Sequence, residues 1–550
     1  MSEPLPVAAT IRAQLAALAA AHGDRQAIVA GGEVVTYRDL EQRCLAFARS
    51  LDALGLAAGD RVAGLMPNSA EWLIAYLGTA ASGRVFVGLN TWFEGADLRY
   101  VLGRCGARVL LMAGGFRSHD YVAAVSAALG EGAAIRPWNG AAGQPSVDSG
   151  QLPELGWIVA LDGDVPDRSC SWDELLMAGS GREALSFGAA GPDPALIVYT
   201  SGSTGLPKGV VLCHEPLLRN GWHIGARQHV TPEDRLWISS PLFFSYGCAN
   251  AAMVMLSHGC TLLLQDFFEP AAAVDFMSRE RATVYYATTN MTYAIRDELS
   301  RSPRPLALRT GTAIGTPAQL RTAMDLVPGI CNIYGMTETY GNCAVTDAAD
   351  SAQARLTTQG PALPEHTIDI VDPGTGQPVP PGELGEVRVG GLVTPGYFND
   401  PARTAEAFDE AGRLRTGDLG RLDARGRLIW ESRIGDMIKT SGVNVSAAEV
   451  ERALETSPRI QQVYVVGVPD EVRGELIAAV VHPADPLLTE AEVLAYARAS
   501  LRSYQVPRLV QFRPDGDFPL TTTGKVSRRE LSSQVAEMSS AAPDAKAGTP

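Results

Sequence analysis

The stretch YTSGSTGLPKG, residues 199–209, brings together residue types that bind phosphate. Its three glycines let backbone N–H groups converge on an anion, its serine and threonine hydroxyls are further donors, and Lys208 adds a positive charge. The stretch follows the strand-like run ALIVY, so the loop would begin where a strand ends. We expect this loop to cradle phosphate groups, with an ordinary flexible Gly/Ser turn as the alternative.

This loop differs from two familiar nucleotide-binding motifs. A Walker A loop needs a lysine between a glycine and a hydroxyl residue, whereas Lys208 lies between Pro207 and Gly209. The sequence also contains no G-x-G-x-x-G stretch, so it does not support a dinucleotide-binding fold.

Four further motifs follow the loop in order: YGMTET (334–339), RTGDLGRLDARGRL (415–428), RIGDMIKTSGVNVSAAEVE (433–451) and PLTTTGKVSRREL (519–531). Together with the loop, they resemble the motifs of the adenylate-forming superfamily of acyl-CoA synthetases, luciferases and peptide-synthetase adenylation domains. VTYRDL and GDRVAGLMPNSAEWLIAYLG near the N-terminus are similar to the opening of that family. The resemblance therefore covers nearly the whole chain.

The resemblance implies a ligase that uses ATP, Mg²⁺ and coenzyme A. A carboxylate would attack the α-phosphate to give an acyl-adenylate, and a thiol would then displace AMP. Both reactants of the first step are anions, so positive charge is needed to offset their repulsion. Residues implied to hold the β- and γ-phosphates are Thr200, Ser201, Gly202, Ser203, Thr204, Gly205 and Lys208. Thr200 and Glu338 would also seat Mg²⁺, Thr337 would lie near the α-phosphate, and Lys525 would reach the α-phosphate and the carboxylate oxygens.

The resemblance also implies a nucleoside site and a thiol path. Asp418 and Arg433 would bind the ribose and Tyr334 would stack on adenine. The purine would be walled by Gly311, Thr312 and Ala313. Lys439 and Gly442 lie in the cofactor-binding loop, and the pantetheine arm would pass Gly442, where glycine permits close backbone approach.

The stretch PLFFSYG (241–247) falls where relatives often show PLFH, and Phe244 replaces the histidine. Amino-acid-activating relatives carry an aspartate here to pair the substrate amine, and this stretch has no carboxylate, which argues against an amino acid substrate. Candidate pocket residues are Phe243, Phe244, Tyr246, Asn290 and Tyr340. They suggest a roomy, mostly apolar pocket for an aromatic, alicyclic or fatty acid, although these aromatics could equally be core residues.

Two positions depart from the family pattern. The hinge residue, usually Asp or Lys, is Gly435, which widens the allowed backbone angles and puts the balance between the two half-reactions in doubt. The second departure is Leu520, where relatives have a lysine.

Other function classes fit the sequence less well or remain open. No G-x-S-x-G motif occurs, so a serine hydrolase with a nucleophile elbow is not supported. A non-catalytic nucleotide-binding protein would need neither Glu338 nor Lys525. Two alternatives stay open: an enzyme that mainly converts a preformed acyl-adenylate to the thioester, and a ligase that loads a separate carrier protein.

The fold that must position these residues is predicted to be α/β. Short apolar runs such as RVLLM, TLLLQ and TVYYAT alternate with amphipathic stretches such as YRDLEQRCLAFARSLDALG. We expect a large multi-sheet adenylation domain at 1–434, a hinge at Gly435, a small mobile α+β domain at 435–535 and a disordered tail at 536–550. Residues from about 128 to 195 are rich in Gly, Ala, Pro and Asp, and we expect surface loops there.

Composition limits the partners. The 550-residue chain is 46% apolar and 19% charged with a net charge of −15, which disfavours nucleic-acid binding. The N-terminus lacks a signal-peptide pattern, and no apolar run is long enough to span a membrane. The eight scattered cysteines fit neither a zinc site nor a disulfide framework, which indicates a reducing cytoplasm. A homodimer remains open.

Overall fold

The structure is a computed structural model and describes residues 5–137, 145–161, 169–182, 184–200, 206–440, 443–470, 472–514, 516–520 and 526–541. The chain divides into two compact units. The first comprises Met1–Gly315, Leu320–Ile368 and Val389–Leu414, and the second comprises Thr316–Gln319, Asp369–Arg388 and Arg415–Pro550.

The described residues contain many short strands. In chain order they are β1 Gln26–Ala30, β2 Glu33–Thr36, β3 Arg61–Leu65, β4 Val85–Gly88, β5 Ala107–Met112, β6 Gly115–Phe116, β7 His119–Asp120, β8 Ala134–Ile135, β9 Val147–Asp148, β10 Trp157–Ala160, β11 Cys170–Ser171, β12 Pro194–Thr200, β13 Lys208–Cys213, β14 Arg235–Ile238, β15 Thr261–Leu264, β16 Val284–Tyr286, β17 Thr310–Ala313, β18 Gly329–Met336, β19 Gly341–Val345, β20 Gly360–Pro361, β21 His366–Val371, β22 Gly385–Gly391, β23 Leu414–Leu422, β24 Arg427–Arg433, β25 Met437–Thr440, β26 Val443–Ser446, β27 Ile460–Asp470, β28 Gly474–Pro483 and β29 Leu509–Phe512.

The α-helices lie between these strands. They are α1 Ile11–His22, α2 Tyr37–Ala53, α3 Ala70–Ala81, α4 Gly95–Cys105, α5 Tyr121–Leu129, α6 Trp172–Gly179, α7 His214–Arg227, α8 Ala252–His258, α9 Pro270–Arg279, α10 Thr289–Arg301, α11 Pro317–Leu326, α12 Ala352–Thr357, α13 Pro401–Ala407, α14 Ala447–Leu454, α15 Glu490–Ser500 and α16 Arg528–Ala541. A π-helical turn, 246–251, leads into α8.

Two large sheets form the first unit. One has the strand order β11-β10-β5-β3-β4-β12-β13, and the other has the order β19-β18-β17-β16-β14-β15-β1-β2. The interior strands of both sheets are parallel and buried, which explains why they read as continuous apolar runs. Alternate side chains serve opposite faces: Leu236 and Ile238 join a core with α1, α2, α3, α7 and α8, whereas Trp237 joins the core with α9 and α10.

The second unit is built around the antiparallel pair β27 and β28, whose register runs from Ile460 opposite Pro483 to Asp470 opposite Gly474. One face packs against α14 and α15 through Val450, Leu454 and Val493. The opposite face packs against α16 through Leu531 and Val535. Helices therefore cover both faces of this sheet, and each face has its own small apolar core.

The predicted α/β class with several sheets is confirmed, and the quoted apolar runs form strands. The interpretation of 128–195 as surface loops is wrong at the strand β10, which pairs in parallel with β5 inside the first large sheet and is fully buried. Its four residues, WIVA, are too short a run to predict a buried strand between Gly- and Pro-rich segments. Helix α16 continues through Ala541 and so includes the first six residues, 536–541, of the predicted tail.

Two further features bear on the sequence expectations. No helix among the described residues is long and apolar enough to cross a membrane. All eight cysteines lie in described residues, and each is a buried thiol rather than half of a disulfide.

Candidate active site

The carboxyl ends of the parallel strands bring the sequence motifs together. Strands β18, β17, β16 and β14 are neighbours in this order. Four segments therefore lie side by side at the carboxyl ends of these strands: YGMTET, the GTA stretch (311–313), residues 288–290 and the PLFFSYG stretch. Open α/β sheets bind ligands at this end of their strands.

Asn68 joins this edge to the corresponding edge of the other large sheet. It follows β3, and its amide donates hydrogen bonds to the carbonyls of Ser240 and Gln265, both at 3.1 Å. Its side-chain oxygen accepts from the backbone N–H of Leu242 at 2.8 Å. Because Leu242 is the second residue of the PLFFSYG stretch, this buried asparagine fixes the position of the predicted acyl pocket.

Lys208 and Glu338, predicted for phosphate and Mg²⁺, lie in direct contact. Lys208 Nζ is 2.7 Å from Glu338 Oε1 and 2.8 Å from the hydroxyl of Tyr397. The Tyr397 hydroxyl is 2.9 Å from the same Glu338 oxygen, so the three groups form a closed triangle. The Lys208 ammonium also lies 4.5 Å from the centre of the Tyr397 ring. The side chain of Glu338 is only 7% exposed.

Backbone hydrogen bonds hold the triangle in place. The N–H of Thr394 donates to the Glu338 carbonyl at 2.7 Å, and the Thr394 hydroxyl donates to the Val211 carbonyl at 2.6 Å. The N–H of Phe398 donates to the Gly209 carbonyl at 2.8 Å. Segment 394–398 thus fastens the Glu338 turn to β13, which begins at Lys208.

Thr337 and Thr312 are linked to the predicted acyl pocket. The Thr337 hydroxyl donates to Ser245 Oγ at 3.1 Å, and the Tyr246 hydroxyl is 2.8 Å from Thr312 Oγ1. The Tyr246 ring also stacks on Tyr286, with centroids 5.2 Å apart. Thr337 and Thr312, both predicted for the nucleotide, are therefore each hydrogen-bonded to a residue of the PLFFSYG stretch.

Two glycines in this region are required by close packing. Gly311 has φ +155, and a Cβ there would lie 2.1 Å from the Tyr285 carbonyl oxygen. A Cβ at Gly335, which follows the buried Tyr334, would lie 2.0 Å from the Gly341 carbonyl oxygen. Ala313 ends β17 and is also buried. The predicted adenine residues therefore lie where backbone strands approach closely.

An aromatic cluster lies at the start of the predicted acyl pocket. Phe243 and Phe244 have centroids 4.3 Å apart, and Trp92 contacts them at 5.8 and 6.3 Å. Trp92 follows β4 and is 40% exposed, so its ring reaches the surface of this cluster. No sequence motif identified Trp92; its position just after a buried strand was the available signal.

The other two predicted pocket residues have different surroundings. Asn290 is exposed in the first turn of α10. Tyr340 is 1% exposed, and its hydroxyl accepts a hydrogen bond from the backbone N–H of Cys213 at 3.3 Å. The side chain of Tyr340 thus packs into the large core that also contains Leu217 and Leu218 of α7.

Several predicted residues lie outside the described ones: Ser201, Gly202, Ser203, Thr204, Gly205, Gly442 and Lys525. Thr200 is described, and its buried hydroxyl has no hydrogen-bond partner among the described residues. The end of the loop is braced by Tyr100, whose hydroxyl donates to the Pro207 carbonyl at 3.3 Å.

The second unit holds the predicted ribose residues. Asp418 and Arg433 are directly opposite on β23 and β24, with Arg433 Nε 3.4 Å from Asp418 Oδ1. Lys439 lies on β25 with its side chain exposed, and its N–H donates to Glu475 at 2.6 Å. Gly435 is exposed in a 3₁₀ turn, without a positive φ, and a Cβ there would meet nothing within 4 Å.

Burial and charge determine the ionisation of two groups near the Glu338 turn. Burial, followed by the neighbouring Glu338 carboxylate, raises the pKa of Tyr397 well above its ordinary value, so its hydroxyl keeps its proton. Burial lowers the pKa of His366 to about 4, so this imidazole is neutral near pH 7.

The donor set suits a magnesium–nucleotide complex. Among the described residues, no group of three or more His, Cys, Asp or Glu side chains is arranged to hold a metal ion. Mg²⁺ binds through one or two protein oxygens together with substrate phosphates, so the Glu338 carboxylate and the unpartnered Thr200 hydroxyl fit such an ion.

The chain is similar to known proteins over most of its length. Residues 15–398 match the family described as AMP-binding enzyme, and residues 449–525 match its C-terminal domain. A feruloyl-CoA synthase from an Amycolatopsis species is 32% identical over 508 residues, covering 91% of this chain and 94% of that protein. The mitochondrial medium-chain acyl-CoA ligase ACSF2 of Bos taurus is 30% identical over 538 residues, covering 93% and 85%.

A solved structure is similar over nearly its whole length. ATP-bound MatB from Rhodopseudomonas palustris superposes with a TM-score of 0.80 at 26% identity, covering 96% of this chain and 99% of that one. The chain therefore belongs to the AMP-binding enzyme family of the adenylate-forming superfamily and is an AMP-forming acid–thiol ligase that uses ATP and coenzyme A.

Proposed function

We propose that this ligase activates a hydrophobic carboxylic acid of the aromatic, alicyclic or fatty class. The observation that carries the proposal is the cluster of Trp92, Phe243 and Phe244 at the ligand-binding edge of the large sheets. No charged residue occurs in 239–250, so this stretch offers nothing to pair a second charge on the acid. The names of the relatives, a feruloyl-CoA synthase and a medium-chain acyl-CoA ligase, fit the same broad class.

The first half-reaction needs charge compensation from the chain. The acid's carboxylate oxygen bonds to the α-phosphorus and pyrophosphate leaves. Lys208 supplies a positive charge to the β- and γ-phosphates, while Thr337 donates near the α-phosphate. Lys525 is proposed to reach the oxygens that carry charge as the new bond forms. Mg²⁺, held by Glu338 and Thr200, would neutralise phosphate charge.

In the second half-reaction the thiol of coenzyme A attacks the acyl carbon and AMP leaves with the bridging oxygen. The small domain at 435–535 is proposed to rotate about Gly435, so that the loop carrying Gly442 replaces Lys525. Asp418 and Arg433 are proposed to hold the ribose in both steps.

Gly435 supports a second candidate, an enzyme that converts a preformed acyl-adenylate faster than it makes one. Gly435 is exposed, and a Cβ added at this position would meet no atom within 4 Å. A hinge without a side chain lacks contacts that could stabilise the adenylating orientation.

We further propose a cytoplasmic location, which the eight buried thiols support. Two other proposals are that the protein forms a homodimer and that a carrier protein is the acyl acceptor.

The test is a panel of benzoic, cinnamic, cyclohexane and C6–C12 fatty acids, with amino and dicarboxylic acids as controls. Each is incubated with ATP, Mg²⁺ and either coenzyme A or a phosphopantetheinylated carrier protein, and acyl-AMP and thioester are measured separately by mass. We expect turnover only of apolar acids. Phe244→His should lower kcat/KM for these acids, whereas Phe276→His, on the remote helix α9, should not. Turnover confined to amino or dicarboxylic acids would refute the proposed substrate class.

A further inference from the structure

Tyr397 is the member of the triangle to which sequence reasoning gave no role. It lies in GYFND, 396–400, outside every motif used to predict the site. Its hydroxyl is within 3 Å of both Lys208 Nζ and Glu338 Oε1. We propose that Tyr397 is a positioning residue for adenylation, which holds one oxygen of Glu338 so that the other faces Mg²⁺ when Lys208 turns to the triphosphate.

The charge pattern explains why such a residue is needed. Among the described residues, Lys208 and Tyr397 are the side chains that hydrogen-bond the Glu338 carboxylate. If Lys208 moves to phosphate oxygens, Glu338 is left as a largely buried anion. Such a group is costly unless a donor remains. Tyr397 remains, and it occupies only Oε1.

The hydroxyl makes two hydrogen bonds that do not depend on each other. It donates to Glu338 Oε1 at 2.9 Å and accepts from Lys208 Nζ at 2.8 Å. Loss of Lys208 to the nucleotide leaves the donated hydrogen bond intact.

The ring is held firmly enough for this role. The N–H of Tyr397 donates to Thr404 Oγ1 at 2.9 Å, and its carbonyl accepts from the N–H of Asp400 at 3.1 Å. The preceding Gly396 has φ +142, and a Cβ there would lie 2.5 Å from Thr404 Cγ2. Tyr397 also forms an antiparallel bridge with Val210 on β13. The hydroxyl is thus aimed by backbone contacts on both sides.

This inference rests on the proposed roles of Lys208 and Glu338, so the experiment tests these roles in parallel. Tyr397→Phe keeps the ring and its cation–π contact and removes only the hydroxyl. Loss of a hydrogen bond to a charged group changes a binding constant by about 10- to 100-fold. We expect the Mg²⁺ concentration at half-maximal adenylation to rise by that factor, with thioester formation from supplied acyl-adenylate unchanged.

Two further measurements separate positioning from stability. The affinity for ATP is measured by calorimetry with and without Mg²⁺. Mg²⁺ should increase this affinity in the parent protein and not in Tyr397→Phe. The matched control is Tyr37→Phe, which removes a hydroxyl that donates to the Cys260 carbonyl at 2.6 Å in the core. That variant should lose thermal stability and keep the Mg²⁺ dependence of the parent protein.

A double-mutant cycle with Glu338→Gln decides whether Tyr397 acts through Glu338. Positioning through Glu338 predicts that the double variant is no worse than Glu338→Gln alone. Independent, multiplicative losses would overturn the inference, as would an unchanged Mg²⁺ requirement in Tyr397→Phe. If the proposed function is wrong, the result will be different, because the parent protein itself will form no acyl-AMP. If only the assigned role of Glu338 is wrong, Glu338→Gln will keep the Mg²⁺ dependence of the parent protein.

Discussion

Replacing Asn68 with alanine should weaken both the first unit and the binding of the acid. Asn68 is 7% exposed and makes three hydrogen bonds, to Ser240, Gln265 and Leu242. The three partners are backbone groups at the carboxyl ends of β14 and β15 or in the stretch that follows β14. Asn68→Ala leaves all three without this partner and frees the start of the stretch that carries Phe243 and Phe244.

The magnitude follows from the number of bonds lost. Each buried hydrogen bond contributes about 1 kcal/mol net, so the variant should lose roughly 3 kcal/mol of stability. The acid should bind more weakly because the aromatic cluster loses its anchor. ATP binding should change little, since the contact between Lys208 and Glu338 does not involve Asn68.

The assay combines urea unfolding with initial rates of pyrophosphate release at varied acid and varied ATP. Asn332→Ala is the matched control, because Asn332 is also buried and bonds the Thr358 carbonyl at 2.8 Å, away from the PLFFSYG stretch. Both variants should lose stability, and only Asn68→Ala should raise the KM for the acid about tenfold. An unchanged acid KM in Asn68→Ala would refute the assigned role of this residue.

Four other predictions concern the proposed hinge, the proposed mobile domain and pH. Lys525→Ala should abolish adenylation and spare thioester formation from supplied acyl-adenylate, because the lysine is proposed to act only while phosphate charge develops; equal loss of both rates would contradict this. Gly442→Trp should do the reverse by blocking the thiol path, so acyl-AMP should accumulate; unchanged coenzyme A ligation would place the path elsewhere. Gly435→Asp, which has open space for its side chain, should raise the rate from free acid plus ATP relative to the rate from synthetic acyl-adenylate; an unchanged ratio would make Gly435 a neutral variation. Burial raises the pKa of Glu455 from 4.5 to about 7. The charge of Glu451 adds to this shift, whereas the hydrogen bond from Thr316 and the charge of Arg452 oppose it. The folded state holds this proton more tightly, so stability should fall from about pH 4.5 to about pH 7, by at most about 3 kcal/mol, and Glu455→Gln should flatten that part of the profile in thermal unfolding; an identical profile in the variant would refute the shift.

The strands and helices that follow simple periodicity were predictable. The runs ALIVYT and TLLLQ form buried parallel strands, and the stretch from Tyr37 forms α2 with a capping box between Thr36 and Asp39. Local sequence was sufficient there because pattern and capping agree. It failed for β10, whose burial comes from pairing with β5, a partner distant in the sequence.

The candidate site was predictable where a motif carries the chemistry and not where another segment supplies a partner. Lys208 and Glu338 are 130 residues apart, and motif identity alone indicated that they act together. Tyr397 and Asn68 carry no chemical signature of their own, and their contacts exist only once the sheet edges are assembled. Tyr340 illustrates the reverse case, because an aromatic residue next to a motif packs into the core.

The adenylate mechanism can be tested most directly with an apolar acid labelled with ¹⁸O in both carboxylate oxygens. The enzyme is incubated with this acid, ATP, Mg²⁺ and coenzyme A, and the nucleotide products are analysed by mass spectrometry. Attack of the carboxylate on the α-phosphorus, followed by thiol displacement of AMP, predicts one ¹⁸O atom in each AMP formed and none in pyrophosphate. Unlabelled AMP, or label in inorganic phosphate with ADP as the other product, would contradict an acyl-adenylate intermediate.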